Sequence, residues 1–126
     1  MLPFDFSGDS APSGSLVVTI PAGIRRKRAL LGILARELYF PGYFGWNWDA
    51  LSDCLRDLHW VQPPRPVVLQ HRDVPFAPET SMRAIYLDIL REAAASWKED
   101  DSPRLVVQFP AAARDDLTAA LNTRHP

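Results

Sequence analysis

Residues 40–58 read Phe-Pro-Gly-Tyr-Phe-Gly-Trp-Asn-Trp-Asp-Ala-Leu-Ser-Asp-Cys-Leu-Arg-Asp-Leu. Pro41 and Gly42 end whatever element precedes them. Asn47 is a helix N-cap, because its side-chain oxygen can accept from a free backbone N–H one turn on. Asp49 follows in the first turn, where a carboxylate meets the positive end of the helix dipole. The spacing predicts a helix from Trp48 to about Leu58. On a helical wheel, Trp48, Leu51, Cys54, Leu55 and Leu58 share one arc and form a core face. Asp49, Ser52, Asp53, Arg56 and Asp57 share the opposite arc.

Amphipathicity alone accounts for that division, but two details go further. Asp49 and Asp53 are four residues apart, a like-charge spacing that costs a few tenths of a kcal/mol in an isolated helix. Asp57 extends the stripe into the last predicted turn, where the dipole opposes it, while Arg56 lies one turn from Asp53 and relieves part of the repulsion. A helix that keeps carboxylates at a cost is suited to a cationic partner. The loop before it supplies the second detail. Tyr39, Phe40, Tyr43, Phe44, Trp46 and Trp48 put six aromatics within ten residues. Phe40 and Trp48 are expected in the core, with one or two of the others exposed beside the acidic face, the composition of an interface hot spot.

Outward from this segment the chain alternates strands and helices. Leu16-Val-Val-Thr-Ile20, closed by Pro21, is a first strand. Helix signals begin near Ile24 and continue with Leu31, Leu34 and Leu38 at helical spacing. Pro63, Pro64 and Pro66 lead to a second strand, Val67–Leu69, with Pro66 a candidate cis peptide. Thr80 or Ser81 caps a third helix bearing Met82, Ile85, Tyr86, Ile89, Ala93 and Trp97 on one face. Arg104–Phe109 is the last strand, and Asp115–Asn122 a short terminal helix. The order strand-helix-helix-strand-helix-strand predicts an α/β fold with a small three-stranded parallel sheet. Residues 1–15, rich in Ser, Gly, Pro and Asp, read as a loosely held arm, 16–109 as the domain, and 110–126 as a C-terminal extension.

Composition sets the outer bounds. The 126 residues are 47% hydrophobic and 23% charged, an ordinary balance for one globular domain. Cys54 is the only cysteine, which excludes an internal disulfide and a Cys-rich zinc site. The net charge of −1 belongs neither to a basic nucleic-acid binder nor to a strongly acidic mimic, so electrostatic specificity must be local. The N-terminus lacks the basic start and apolar run of a signal peptide, and no apolar stretch is long enough to span a bilayer, so a cytoplasmic protein is expected.

The run Phe40–Leu58 resembles the signature of the barstar family, intracellular inhibitors of extracellular-type ribonucleases, and the same element order extends the likeness from about Leu16 to Phe109. The resemblance implies a non-catalytic protein with no cofactor and no metal, whose partner is a basic ribonuclease or related nuclease toxin. It implies no small-molecule substrate, no membrane and no direct nucleic-acid contact. Family helix and loop enter the enzyme's active site, so Asp53 matches the central carboxylate and Asp49 the second acidic contact. Tyr43, Gly45, Asn47 and Trp48 match loop and helix-start contacts, and Glu92 matches a further acidic contact on helix 3. Ser52 and Arg56 lie on the same face but depart from the family pattern, where a tryptophan and a small polar residue are common.

Other residues carry weaker signals. Cys54 lies on the buried arc and reads as a structural thiol. His59, His71 and His125 are scattered, without metal-ligand spacing; His71 alone follows a strand, where sites in α/β sheets form. No phosphate-cradling glycine loop, nucleophile elbow or His-Glu metal motif is present. Arg25-Arg-Lys-Arg28 is the one dense basic run, predicted in the first turn of helix 1 against the dipole. It supports an alternative reading, a small RNA-binding protein that pairs these cations with exposed aromatics. A third reading is a protein-interaction domain that keeps the fold without inhibition.

Overall fold

A computed structural model describes residues 2–8, 11–78 and 80–124 of the chain, with side chains to Asn122. His125 lies outside the described residues. Three strands, β1 (Leu16–Ile20), β2 (Pro66–His71) and β3 (Arg104–Gln108), form a parallel sheet in the order β1-β2-β3. Helices α1 (Lys27–Glu37) and α2 (Trp48–Leu55) connect β1 to β2, and α3 (Ser81–Ala95) connects β2 to β3. A 3-10 turn (Ala111–Ala113) and α4 (Arg114–Arg124) complete the fold. The α/β class and the element order match the reading of the sequence.

The pleat of the sheet decides where the core lies. Leu16, Val18 and Ile20 of β1, Val67 and Leu69 of β2, and Leu105 and Val107 of β3 alternate onto one face. There they join Leu30, Leu31 and Leu34 of α1, Leu51 and Leu55 of α2, and Leu87 and Leu90 of α3 in one apolar cluster. The other face carries two cross-strand rows, Val17-Val68-Val106 and Thr19-Gln70-Gln108. Gln70 Nε2 donates to Gln108 Oε1 (3.3 Å), and Gln108 Nε2 donates in turn to Asp5 Oδ2 (3.0 Å).

Asp5 belongs to the segment expected as a loosely held arm, and that expectation needs correction. Asp5 bridges Gln108 in parallel, donating its N–H to Val107 O and accepting from Phe109 N–H. Phe4 and Phe6 alternate onto the core face, where Phe4 packs against Phe109 at 5.2 Å between ring centroids. Their burial is worth roughly 1.5–3 kcal/mol each, enough to hold a segment whose Ser-Gly-Pro composition suggests freedom. The C-terminal extension behaves alike, since Leu117 and Leu121 of α4 are buried in the same cluster.

Element boundaries and the cis proline also differ from the reading of the sequence. α1 starts at Lys27 rather than near Ile24, because the Ile24 carbonyl accepts from Phe76 N–H and is thereby fixed outside the helix. Arg25 precedes the helix, and Arg26 is an N-cap without a side-chain hydrogen bond, so only Lys27 and Arg28 open the first turn. α2 ends at Leu55, not Leu58: the N–H groups of Asp57 and Leu58 both turn back to Cys54 O, and Leu58 takes φ 54°. Among the described residues the cis X–Pro bonds are Gln62–Pro63 and Ser102–Pro103; Pro66, the expected candidate, instead opens β2 in register with Arg104. The cap on α3 is as expected, with Thr80 Oγ1 accepting from Arg83 N–H. On that helix Ile85 turns outward and Trp97 falls beyond the last turn, its indole N–H donating to Leu55 O (3.0 Å).

Candidate protein-interaction face

Leu51, Cys54 and Leu55 bury one side of α2 and Leu58 follows them into the core, so the helix has only one orientation. Four buried apolar side chains contribute several kcal/mol, which outweighs the few tenths lost to the Asp49–Asp53 repulsion. The opposite side is thereby forced into solvent. Asp49, Asp53 and Arg56 are exposed, and Ser52 is half-buried between them. Among the described residues Asp49 has no ion pair. Asp53 has one, Arg56 Nη2 at 3.5 Å, with the Asp53 side chain still 78% exposed and Arg56 48% exposed. An exposed pair of this kind contributes about 0–1 kcal/mol and leaves the carboxylate available.

Asp57 lies past the helix end and serves a local turn. Its Oδ2 sits 2.8 Å from His59 Nδ1, and its Oδ1 accepts from His59 N–H. The stripe on the helix is therefore Asp49 and Asp53, with Asp57 beside it. Tyr43 is 70% exposed, and its hydroxyl pKa is raised by desolvation and by the nearby Asp57 carboxylate. Glu92 is exposed on α3, whose side packs on α2, and makes no ion pair among the described residues.

The loop residues divide between presenting the face and building it. Asn47 Oδ1 accepts from Ala50 N–H at 2.7 Å, the expected cap, while Nδ2 donates to Gly45 O at 3.4 Å. A Cβ on Gly45 would stand 3.2 Å from that amide nitrogen, so any side chain there presses on the cap. Phe44, not Phe40 or Trp48, is the buried aromatic; Phe40 and Trp48 are half-buried against the core. The reason is that Phe44 N–H bonds back to Pro41 O, a tight turn that folds its ring under the loop. Three aromatics remain exposed where one or two were expected: Tyr39, Tyr43 and Trp46.

Tyr39 and Trp46 both take φ 56°, a left-handed conformation costing roughly 1–2 kcal/mol for residues with a side chain. Strain of that size persists where packing over-determines it. Trp46 is held by Phe44 at 5.5 Å and by Arg28, whose guanidinium carbon lies 5.0 Å from the ring centroid. Lys27 Nζ stands 5.3 Å over Trp48 in the same way. Sequence reasoning placed neither contact. The basic run and the aromatic run were both visible, but their meeting depends on how α1 crosses the loop.

The remaining titratable groups belong to the fold. Cys54 is a free, buried thiol pushed up to about 11 by burial and the neighbouring Asp57 and Asp53 carboxylates, hence inert at neutral pH. His71, at the end of β2, is buried: its Nδ1 lies 2.8 Å from Gln108 O and its Nε2 2.7 Å from Tyr86 Oη. A carbonyl can only accept, so Nδ1 carries the proton and Nε2 accepts from the tyrosine hydroxyl. Burial drives the imidazole down to about 4, and His71 is a satisfied core residue. Among the described residues no group of three or more His, Cys, Asp or Glu could hold a metal ion, and no helix is long and apolar enough to cross a membrane.

A three-stranded parallel sheet covered on one side by helices, with an acidic helix face and strained aromatic loop left in solvent, defines a small α/β domain that presents a charged helix face. The sequence matches the family described as Barstar (barnase inhibitor) over residues 16–109, and the chain belongs to the barstar family. No curated protein matches the sequence. Phe4, Phe6, Leu117 and Leu121 lie outside the matched segment yet pack into the same core.

Proposed function

We propose that this protein is a cytoplasmic inhibitor that binds a small basic ribonuclease, or a related nuclease toxin, and blocks its active site with α2 and the preceding loop. The observation that carries the reading is the state of Asp49 and Asp53. Both stand on α2 pointed away from the core, and among the described residues the one ion pair at either is that of Asp53 with the exposed Arg56. A ribonuclease cleft must bind phosphates and so gathers cations. Carboxylates one helical turn apart can occupy those phosphate positions and exclude the RNA strand with no bond made or broken. In this reading Tyr43, Gly45, Asn47, Trp48, Ser52 and Arg56 add contacts from the loop and the helix, and Glu92 adds a further carboxylate from α3. Family membership supports an inhibitor rather than an enzyme.

With a net charge of −1 the whole molecule steers a cationic partner weakly, so the local field of the α2 face governs encounter. Titrating barnase with the purified protein, with RNA cleavage as readout, tests the proposal. Activity should fall linearly to a one-to-one end point. Full cleavage at molar excess of the protein would overturn it.

A further inference from the structure

The docking surface carries a second charge, of opposite sign. Lys27 and Arg28 are seated on the rings of Trp48 and Trp46, the residues on either side of the Asn47 cap. Trp46 lies along α1, its ring edge 3.9 Å from the place a Cβ of Gly32 would occupy, so ring and helix move as one body. Cation–π contact fixes each charged group laterally while leaving its hydrogen-bond donors unspent. Among the described residues neither cation has a carboxylate within 4.0 Å. Two fixed, unpaired cations therefore adjoin the acidic face through shared aromatic residues.

We propose that Lys27 and Arg28 are the cationic half of the partner-binding surface, and that the partner nuclease carries carboxylates on the rim of its cationic cleft opposite them. The inference rests on the inhibitor reading and sharpens it. A cleft surrounded only by positive charge would meet Lys27 and Arg28 as like charges, which is costly across an interface. A cleft rimmed by Asp or Glu would gain at both halves and be held in one orientation. The surface thus selects among basic nucleases instead of binding them all.

The chain has only two lysines, Lys27 and Lys98, so zero-length carbodiimide coupling, which joins an amine to a touching carboxylate, reads the contact directly. In the complex with barnase, Lys27 should couple to an Asp or Glu of the nuclease, and Lys27→Arg, which keeps the charge but removes the amine, should lose the cross-link. The double reversal Lys27→Glu/Arg28→Glu places carboxylates where the helix dipole favours them and, in a variant whose urea midpoint confirms folding, should weaken the complex more than about tenfold. A complex that depends on Asp53 but ignores the reversal and yields no Lys27 cross-link overturns this inference alone. Absence of any complex overturns the inhibitor reading and this one with it. A short fluorescent oligoribonucleotide bound by the native protein and released by the reversal, with barnase binding unchanged, would assign the cations to RNA instead.

Discussion

The two ends of this small molecule treat polar groups in opposite ways. At the carboxyl end of β2, His71, Tyr86 and Gln108 are buried, and each finds a partner: imidazole to carbonyl at 2.8 Å, hydroxyl to imidazole at 2.7 Å, amide to carboxylate at 3.0 Å. On α2, Asp49 and Asp53 face water, and the exposed Arg56 pairs with Asp53 alone. A buried polar group must be satisfied internally or it destabilises the fold. A solvated charge carries no such obligation, and its arrangement is free to answer to something outside the chain. The first region accounts for stability, the second is the one we propose for binding, and substitutions should separate them.

The largest separation is expected from Asp53→Ala. Loss of a carboxylate from a desolvated charge contact should weaken the nuclease complex by about 2–5 kcal/mol, a range to which barstar-type complexes themselves contribute, while folding stability changes by less than about 0.5 kcal/mol. Isothermal titration against barnase beside urea denaturation measures both. Tyr86→Phe should do the reverse. Removing the hydroxyl strands His71 Nε2 in an apolar site and should cost about 1–3 kcal/mol of stability, with affinity unchanged at temperatures where the variant is folded.

The same cluster sets a pH dependence. His71 is held at about 4, below its ordinary 6.5, so as pH falls the unfolded chain takes up this proton first. Its stabilising contribution is complete above 6.5 and drains away between 6.5 and about 4. Urea midpoints should fall more steeply from about pH 7 to pH 5 in the native protein than in His71→Gln. A smaller effect is expected at the helix start: Asn47→Ala should cost about 1 kcal/mol by removing the cap on α2. The smallest is Arg56→Ala, within about 1 kcal/mol of native stability, since its ion pair is exposed.

The reading of 40–58 held best where local rules are strongest. The Asn47 cap, the Leu51–Cys54–Leu55 arc and the solvent-facing Asp49 and Asp53 follow from periodicity and side-chain chemistry within one helix, and each is observed. What escaped were features decided by distant contacts. Phe4 and Phe6 looked like part of a polar arm because their value lies in an edge of β3 a hundred residues away, as the Gln108–Asp5 bond at separation 103 shows. α2 is shorter than its wheel allows because Cys54 O collects two turn hydrogen bonds, a choice no periodicity encodes. Likewise, Arg28 and Trp46 were both conspicuous, but only the crossing of α1 over the loop brings them together.

Amide hydrogen exchange on the protein alone and in complex with barnase tests the central claim most directly. Residues 43–56 should exchange markedly more slowly in the complex, with the amides around His71 and Gln108 unaltered. Unchanged exchange over 43–56, or new protection confined to the His71 end of the sheet, would contradict the assignment of the α2 face to the partner.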